Sequence, residues 1–377
     1  MDFLQDIKSI QNNYLSDFGH MPFNVSDWNP SDEFKLKVQH VSEMKNGFNS
    51  IDYVFSYTFN QNIHNNILKK LGYDNNSGKR AILITPNGSS SIRNVLHWLK
   101  ENQLKKLLAI SPTYFTVFCG CSDYGIECKE IFLYRENYSF FLEENELFDN
   151  VEQVDAIWIT SPVYCTSTYF EDKMINNFIK ILEMGKYIIA DESLCISGHE
   201  LIRKLGKYKN FIGIYSPHKS VCVNGNKFSV ITYAKEENIL FNDWVVALSG
   251  NLLVSNGIAV NHFLSNDYEI YMQAFNHEIY SSFSELKALL KEYDVDYDYR
   301  ANGYLVTLYF HNISGSKGYD KKFLEELIYN TGTTMIPGIR NHFGNNLDFC
   351  FRINLCCLNE NMYHSLKRLI IYLRNIL

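Results

Sequence analysis

The sequence has no excess of positive charge. It carries 35 Lys and Arg residues against 42 Asp and Glu residues, which gives a formal net charge of −7. No run of Lys and Arg stands out. A protein that binds the phosphate backbone of a nucleic acid needs a basic face. The charge pattern therefore predicts a protein that does not bind nucleic acid.

Long apolar runs are also missing. No stretch reaches the roughly 20 consecutive apolar residues that a membrane-spanning helix needs. The first eight residues, Met1 to Lys8, have no basic segment followed by an apolar one, which a secretory signal would show. We therefore expect no membrane as a partner and a cytoplasmic location.

The nine cysteines show neither a disulfide framework nor a metal site. Their number is odd and they are scattered, which is typical of reduced thiols. Cys119, Cys121 and Cys128 lie close together, but they have neither CxxC-like spacing nor His partners. We interpret them, and also Cys356 and Cys357, as buried structural thiols. No metal site is predicted.

Regular alternation of apolar segments is what the sequence does show. Helical spacing predicts helices over 89–100, 114–121 and 173–183. Short apolar runs predict strands over 81–85, 107–110, 127–133, 155–160, 187–190, 211–215 and 227–233. Strands that alternate with helices predict an α/β protein with a mainly parallel sheet covered on both faces.

The pattern changes after residue 234. A long helix is predicted over 267–293 and a terminal amphipathic helix over 361–377, with strands over 304–310 and 349–355. These elements favour a smaller α+β domain. Residues 1–45 do not fit the alternation, and we expect an arm that joins the small domain or a partner chain.

One predicted strand is followed by a candidate phosphate site. In a parallel α/β sheet, ligands bind beyond the carboxyl ends of the strands. After strand 81–85, the residues Gly88, Ser89 and Ser90 open a helix, where free backbone N–H groups can bind a phosphate. An ordinary serine N-cap is the alternative.

An acid and a lysine follow two other strands. Asp191 comes after strand 187–190 and could cap a helix, bind a metal or take part in catalysis. Lys219 comes after strand 211–215. It is either a surface lysine or a nucleophilic amine, if its surroundings lower its pKa.

The three features in combination are those that an enzyme using pyridoxal 5′-phosphate (PLP) requires. A lysine holds the cofactor aldehyde as an imine, an acid keeps the pyridine nitrogen protonated, and a helix start binds the phosphate. The combination predicts PLP as the cofactor, Lys219 as the lysine that binds it and Asp191 as the acid.

At these residues the chain resembles the class I/II aminotransferase family, which is PLP-dependent, aspartate-aminotransferase-like and of fold type I. The resemblance covers about residues 50 to 360. It implies that Tyr114, in Pro112-Thr-Tyr114, stacks on the cofactor ring. It implies that Ser216 contacts the phosphate, and that Arg352 binds the substrate α-carboxylate.

Four positions depart from the family pattern. Lys227 stands where the family has an arginine, and it would neutralise the phosphate without a bidentate contact. Tyr164 and Leu194 replace an asparagine and a tyrosine that bind the 3′-oxygen of the ring, so we hypothesise that the Tyr164 hydroxyl binds this oxygen. His218 is a candidate second acid/base group, or it packs and forms hydrogen bonds. The departures favour a specialised member.

The resemblance also implies an assembly and a domain plan. Tyr57 would reach the phosphate of the neighbouring subunit, which implies a homodimer. The expected fold is a mainly parallel seven-stranded-type sheet in a large PLP-binding domain, with a smaller α+β C-terminal domain. The predicted boundaries are 1–45 for the arm, 46–270 for the large domain and 271–377 for the small domain.

The function implied is aminotransfer between an amino acid and a 2-oxo acid, in amino acid metabolism or biosynthesis. The substrate would bind through Arg352 and displace Lys219, which then removes the α-proton while Asp191 sustains the electron sink. A PLP-dependent lyase or cyclase that uses the same intermediate is the nearest alternative. A non-catalytic ligand-binding scaffold of the same fold is another.

Overall fold

The computed structural model describes residues 3–26, 31, 33–34, 37, 54, 56, 59–73, 79–136, 138–196, 200–237, 247–300, 303–344 and 348–376. In these residues the helices are α1 (Phe3–Phe18), α2 (Gln61–Lys70), α3 (Gly88–Glu101), α4 (Thr116–Tyr124), α5 (Glu144–Val151), α6 (Asp172–Glu183), α7 (Glu200–Leu205), α8 (Pro217–Ser220), α9 (Val254–Leu264), α10 (Asn266–Glu292), α11 (Lys321–Thr331) and α12 (Glu360–Arg374). The strands are β1 (Phe23–Asn24), β2 (Arg80–Thr85), β3 (Lys106–Ser111), β4 (Glu127–Phe132), β5 (Tyr134–Glu136), β6 (Ser139–Phe141), β7 (Ala156–Thr160), β8 (Tyr187–Asp191), β9 (Phe211–Tyr215), β10 (Ser229–Ala234), β11 (Asp296–Asp298), β12 (Leu305–Ser314), β13 (Thr333–Thr334), β14 (Ile336–Pro337) and β15 (Asp348–Asn354).

Seven strands form the large sheet, in the order β2-β10-β9-β8-β7-β3-β4. Strands β9, β8, β7, β3 and β4 pair in parallel. Strand β10 is antiparallel to both of its neighbours, β9 and β2. The prediction of a mainly parallel seven-stranded sheet is confirmed.

The strands of this sheet are buried on both faces. Every residue of β7 and of β9 is buried, as expected for parallel strands that helices cover. Along β7, Ile157 and Ile159 belong to one apolar cluster and Trp158 belongs to the other, because successive side chains of a strand point to opposite faces. Two covered faces explain why the strands have continuous apolar runs in the sequence.

A second, antiparallel sheet is formed by C-terminal residues, in the order β11-β12-β15-β14. Leu305 at the start of β12 pairs with Asn354 at the end of β15. Helix α10, which is 27 residues long, leads from the large sheet to this one. The prediction of a smaller α+β unit after the parallel sheet is confirmed.

The described part of the N-terminal arm contacts this C-terminal unit. Ile10 and Tyr14 of α1 form an apolar cluster with Ile328 of α11, and β1 pairs in parallel with β13. Contact with the small domain was one of the two alternatives predicted for the arm. The exact domain boundaries stay a prediction.

One prediction about the cysteines is wrong. Cys119 is exposed, whereas Cys121 is buried and Cys128 is partly buried. Val117, Gly120 and Cys121 form the buried face of α4, and Cys119 lies on the outer face because side chains of a helix repeat every 3.6 residues. None of the helices in the described ranges is long and apolar enough to cross a membrane.

The carboxyl ends of three strands mark the place where a ligand can bind. β2 ends at Thr85, β8 at Asp191 and β9 at Tyr215. All three strands run in the same direction, so their carboxyl ends meet at one edge of the sheet. Ligands of open α/β sheets bind at this edge.

Candidate active site

A cavity of about 520 Å³ lies at this edge. Small-molecule sites of proteins have volumes of roughly 300 to 1,000 Å³. The lining comes from the segments that follow β2, β3 and β9, the last of which continues to the residues directly before β10. It consists of Asn87, Gly88, Ser89, Tyr114, Ser216, Lys219, Asn224, Lys227 and Phe228.

The start of helix α3 forms one wall of the cavity. Its N-cap is Asn87, whose Oδ1 accepts a hydrogen bond from the backbone N–H of Ser90 at 3.0 Å. The serine N-cap considered from the sequence is therefore wrong. The N–H of Ser90 already has a partner and Ser90 does not line the cavity, whereas Gly88 and Ser89 do.

Gly88 allows the helix start to lie close to a group of hydroxyls. A Cβ atom added to Gly88 would lie 3.2 Å from Ser216 Oγ and 3.5 Å from Ser193 Oγ. The first distance is tighter than most real Cβ contacts. The missing side chain thus leaves a polar cradle beside the first turn of α3, where unpaired N–H groups favour an anion.

The hydroxyls of this cradle are linked by hydrogen bonds. Ser216 Oγ lies 3.2 Å from Ser193 Oγ and 3.0 Å from Ser229 Oγ. Ser229 Oγ in turn donates to the carbonyl oxygen of Tyr215 at 2.9 Å. Sequence reasoning found Ser216 and missed Ser193 and Ser229. They stand two residues after Asp191 and Lys227 respectively, but a serine at such a position is no distinctive signal.

Lys219 lies on the cavity wall, in the four-residue helical turn α8. Its Nζ lies 4.9 Å from the centre of the Tyr114 ring. Burial lowers the pKa of Lys219, the charge of Asp191 opposes this effect, and the charge of Arg352 adds to it. The surroundings therefore favour the neutral, nucleophilic amine. The predicted alternative of a surface lysine is wrong.

Lys227 is the second lysine on the cavity wall. Partial burial lowers its pKa, and the charge of Lys219 lowers it further. A lysine ammonium beside a helix start and a set of hydroxyls provides a site for an anion such as a phosphate.

Asp191 and Glu192 have different partners although they are adjacent. Glu192 Oε1 and Oε2 accept hydrogen bonds from the N–H groups of Leu201 and Ile202, at 3.1 and 2.9 Å, so Glu192 caps helix α7. Asp191 Oδ1 accepts from the N–H of Ser193 at 3.0 Å. Asp191 is buried but does not line the cavity. Its charge acts on Lys219.

Arg352 and Tyr164 lie together and are not among the residues that line the cavity. Arg352 is 1% exposed. Its Nη1 lies 3.7 Å from Cys165 Sγ, and its Nη2 donates to the carbonyl oxygen of Ser26 at 3.2 Å. Burial raises the pKa of Tyr164 well above its ordinary value, so its hydroxyl stays protonated. The Tyr164 and Tyr114 rings are 6.0 Å apart between centres.

His218 and Tyr57 are the two remaining candidate residues from the sequence. His218 Nε2 lies 3.1 Å from His262 Nδ1 in a buried pair. Burial, together with the charge of His262, lowers the pKa of His218 to about 3. These contacts favour the packing and hydrogen-bonding role over acid/base chemistry. Tyr57 lies outside the described residues.

Solved aminotransferase structures are similar to this chain over nearly its whole length. For an aspartate aminotransferase of Thermus thermophilus, the TM-score is 0.76 at 12% identity, with coverage of 98% of this chain and 96% of that one. The chain has the aspartate aminotransferase fold. Two other structures with this fold agree. For a protein of Escherichia coli with a methionine aminotransferase function, the TM-score is 0.76 at 13% identity, with coverage of 100% of this chain and 97% of that one. For the kynurenine aminotransferase of Pyrococcus horikoshii, the TM-score is 0.78 at 12% identity, with coverage of 99% of this chain and 95% of that one.

The aspartate aminotransferase fold was predicted from the strand-end residues, and this prediction is confirmed. No family model and no curated protein matches the sequence. The similarity therefore lies in the architecture, which hosts more than one chemistry. The roles of individual residues have to be argued from the site.

Proposed function

We propose that the chain is a PLP-dependent aminotransferase, which moves an amino group between an amino acid and a 2-oxo acid. The observation that carries the proposal is the placement of Lys219. Its partly buried side chain has a lowered pKa and opens onto a cavity, and the start of helix α3 with its neighbouring hydroxyls forms another wall of that cavity. Similarity in fold to aminotransferases of several specificities supports the proposal.

The residues present fit the cofactor. The phosphate would bind at Gly88, Ser89 and Ser216, where a Cβ atom on Gly88 would approach the Ser216 hydroxyl. Lys227 would neutralise its charge without the bidentate contact of an arginine. One neighbour, the Pyrococcus horikoshii enzyme, was solved in complex with PMP, the pyridoxamine form of PLP.

Lys219 and Asp191 would carry the chemistry. When bound, PLP stabilises the electron pair that remains on the substrate α-carbon after loss of a proton. Lys219 would hold the cofactor, give way to the substrate amine, and then take the α-proton on its neutral Nζ. Asp191, buried at the end of β8, would keep a proton on the pyridine nitrogen by its negative charge.

Arg352 and Tyr164 would orient the substrate and the cofactor. The guanidinium of Arg352 can bind a carboxylate with two parallel hydrogen bonds. The hydroxyl of Tyr164 remains a donor because its pKa is raised, and it would bind the 3′-oxygen of the ring. If the imine between the cofactor and Lys219 has the same pKa in Tyr164→Phe as in wild type, Tyr164 does not have this role.

The finer properties are part of the same proposal. The enzyme would act in the cytoplasm as a homodimer, with Tyr57 of each subunit at the phosphate of the other. Its partners would be the small-molecule amino acid and 2-oxo acid. Tyr164 and Leu194, in place of the usual asparagine and tyrosine, favour a specialised biosynthetic member.

A half-reaction tests the function. The PLP-loaded protein is mixed with single amino acids, and the expected result is conversion to the pyridoxamine form with one 2-oxo acid released per site. A second 2-oxo acid should then restore the original spectrum. Repeated release of a product without pyridoxamine formation would indicate a lyase or cyclase. A protein that takes up no PLP would support the non-catalytic scaffold.

A further inference from the structure

Three buried tyrosines bind the backbone of the segment that carries Lys219. We call residues 217–221 the lysine turn. The Tyr268 hydroxyl donates to the carbonyl oxygen of Pro217 at 2.9 Å. The Tyr304 hydroxyl donates to the carbonyl oxygen of Lys219 itself at 3.0 Å.

The third tyrosine completes the set. The Tyr271 hydroxyl donates to the carbonyl oxygen of Val221 at 3.1 Å. Alternate carbonyl groups of the lysine turn thus each accept a hydrogen bond from a tyrosine. We call Tyr268, Tyr271 and Tyr304 the tyrosine clamp.

The clamp comes from parts of the chain that are remote in sequence. Tyr268 and Tyr271 are three residues apart on helix α10, so they lie on the same face of that helix. Tyr304 directly precedes β12 of the smaller sheet. All three side chains are at most 3% exposed. Their hydroxyls therefore bind the lysine turn without competition from bulk water.

The lysine turn depends on such external partners. Helix α8 has four residues, which is too short to be stable alone because nucleating a helix is unfavourable. Burial raises the pKa of each clamp tyrosine. Each hydroxyl thus keeps its proton and remains a donor at every pH at which the protein would work.

We propose that the tyrosine clamp positions Lys219, holding its amine beside the Tyr114 ring. The residues of the clamp act through the backbone of the lysine turn and do not touch the reacting atoms. The inference rests on the proposed function in one respect, which is that this function makes Lys219 the residue that binds the cofactor. When the clamp is weakened, water reaches the amine, its desolvation decreases, and its pKa rises toward that of an ordinary lysine.

The clamp also connects Lys219 with the strand that carries Arg352. Tyr304 is followed by Leu305, which pairs with Asn354 on β15. Arg352 lies two residues before Asn354 on the same strand. A displacement of β12 and β15 would therefore reach the lysine turn through the Tyr304 hydroxyl.

The test measures the reactivity of Lys219 in cofactor-free protein. Bound cofactor is removed with hydroxylamine, and the amines are acetylated with trace acetic anhydride between pH 6 and 11. Mass spectrometry gives the rate at Lys219, with exposed Lys105 as the internal reference. The variants are Tyr268→Phe, Tyr271→Phe and Tyr304→Phe, which keep the aromatic ring and remove only the hydroxyl.

The chain offers a matched control. The Tyr363 hydroxyl donates to the carbonyl oxygen of Ser282 on helix α10 at 2.6 Å, so Tyr363→Phe removes the same kind of hydrogen bond without touching the lysine turn. Thermal unfolding of each variant checks that the losses of stability are comparable. A purely structural role of the clamp would affect unfolding and leave the pH profile of Lys219 unchanged.

The expected result is a rise in the pKa of Lys219 in the clamp variants and no rise in Tyr363→Phe. Since only the free amine reacts, we expect acetylation of Lys219 to slow about threefold at pH values below its pKa. We expect the largest effect for Tyr304→Phe, because its hydroxyl binds the carbonyl group of Lys219. An unchanged Lys219 profile in folded Tyr304→Phe, or an equal change in Tyr363→Phe, would overturn the proposal.

Failure of this inference differs from failure of the proposed function. If the clamp variants raise the pKa of Lys219 in a protein that takes up no PLP, the clamp stands and the function is wrong. If the protein takes up PLP but the variants leave Lys219 unchanged, the function stands and the clamp is wrong.

Discussion

Asp191 and Glu192 are adjacent in the sequence, yet only Asp191 influences Lys219. The Glu192 carboxylate accepts two backbone N–H groups of helix α7, whereas the charge of Asp191 acts to raise the pKa of the lysine. The sequence left a helix cap open as one role of Asp191, and the structure gives the cap to Glu192. The structure separates them, because successive side chains at a strand end point to opposite faces.

The first prediction uses this pair. Asp191→Asn removes the charge that favours the protonated lysine, so the pKa of Lys219 should fall in the cofactor-free protein. Aminotransfer by the loaded protein should decrease by at least ~100-fold, in the range typical of acid/base groups. Site-resolved acetylation and steady-state kinetics measure the two effects.

Glu192→Gln is the matched control for that prediction. It weakens the cap of α7 and should lower the free energy of unfolding by about 1–2 kcal/mol. The acetylation profile of Lys219 should not change. A Glu192→Gln protein that shifts the lysine as much as Asp191→Asn does would contradict the assignment of roles.

The second prediction concerns Gly88. Gly88→Ala places a methyl group 3.2 Å from Ser216 Oγ, which crowds the proposed phosphate site. We expect PLP affinity to fall about tenfold, equivalent to ~1.4 kcal/mol, by equilibrium titration. Gly225→Ala is the control, because a Cβ atom there meets nothing within 4 Å. Equal affinities of the two variants would place the phosphate elsewhere.

The third prediction concerns the pH dependence of anion binding at Lys227. Burial and the charge of Lys219 lower the pKa of Lys227, so its positive charge is lost at a lower pH than that of an ordinary lysine. The affinity of cofactor-free protein for inorganic phosphate should therefore fall as pH rises through this lowered pKa.

Lys227→Arg should remove that part of the pH dependence, because arginine stays charged. Lys227→Met should weaken phosphate binding at neutral pH by about tenfold or more, the usual contribution of a charge-assisted hydrogen bond. Calorimetric titrations measure both. If wild type and Lys227→Arg share one pH profile, Lys227 does not bind the phosphate.

The fourth prediction links Lys219 to stability. The pKa of Lys219 is lowered in the folded protein, so the unfolded chain binds more protons between this pKa and 10.5, the ordinary lysine value. Stability should consequently rise with pH in this window, relative to Lys219→Met, by up to about 1.4 kcal/mol per pH unit. Denaturant unfolding of both cofactor-free proteins tests the difference. Parallel stability curves would mean that Lys219 is not desolvated.

Much of the fold could be predicted because the strands of the large sheet are buried on both faces and have continuous apolar runs. The same strand ends gave Asp191 and Lys219, since a ligand site lies beyond the carboxyl ends of parallel strands. Asn87 could also have been found, because asparagine is among the best N-caps. The serine cap was the alternative to the phosphate site because serines follow Gly88.

Other parts could not be predicted from local patterns. Ser193 and Ser229 meet Ser216 only after three strands are brought together, and a serine by itself carries little information. The tyrosine clamp joins residues more than 45 positions apart in the sequence. Which face of α4 is buried depends on the elements that pack against it, so the local pattern could not reveal that Cys119 is exposed.

The central claim is that Lys219 holds PLP, and borohydride reduction tests it most directly. PLP-loaded protein is reduced, digested and mapped by mass spectrometry, with Lys219→Ala treated in parallel. The account predicts a pyridoxyl group on Lys219 in wild type and no such peptide in the variant. A wild-type protein that retains no PLP, or that carries the pyridoxyl group on another lysine, would contradict it.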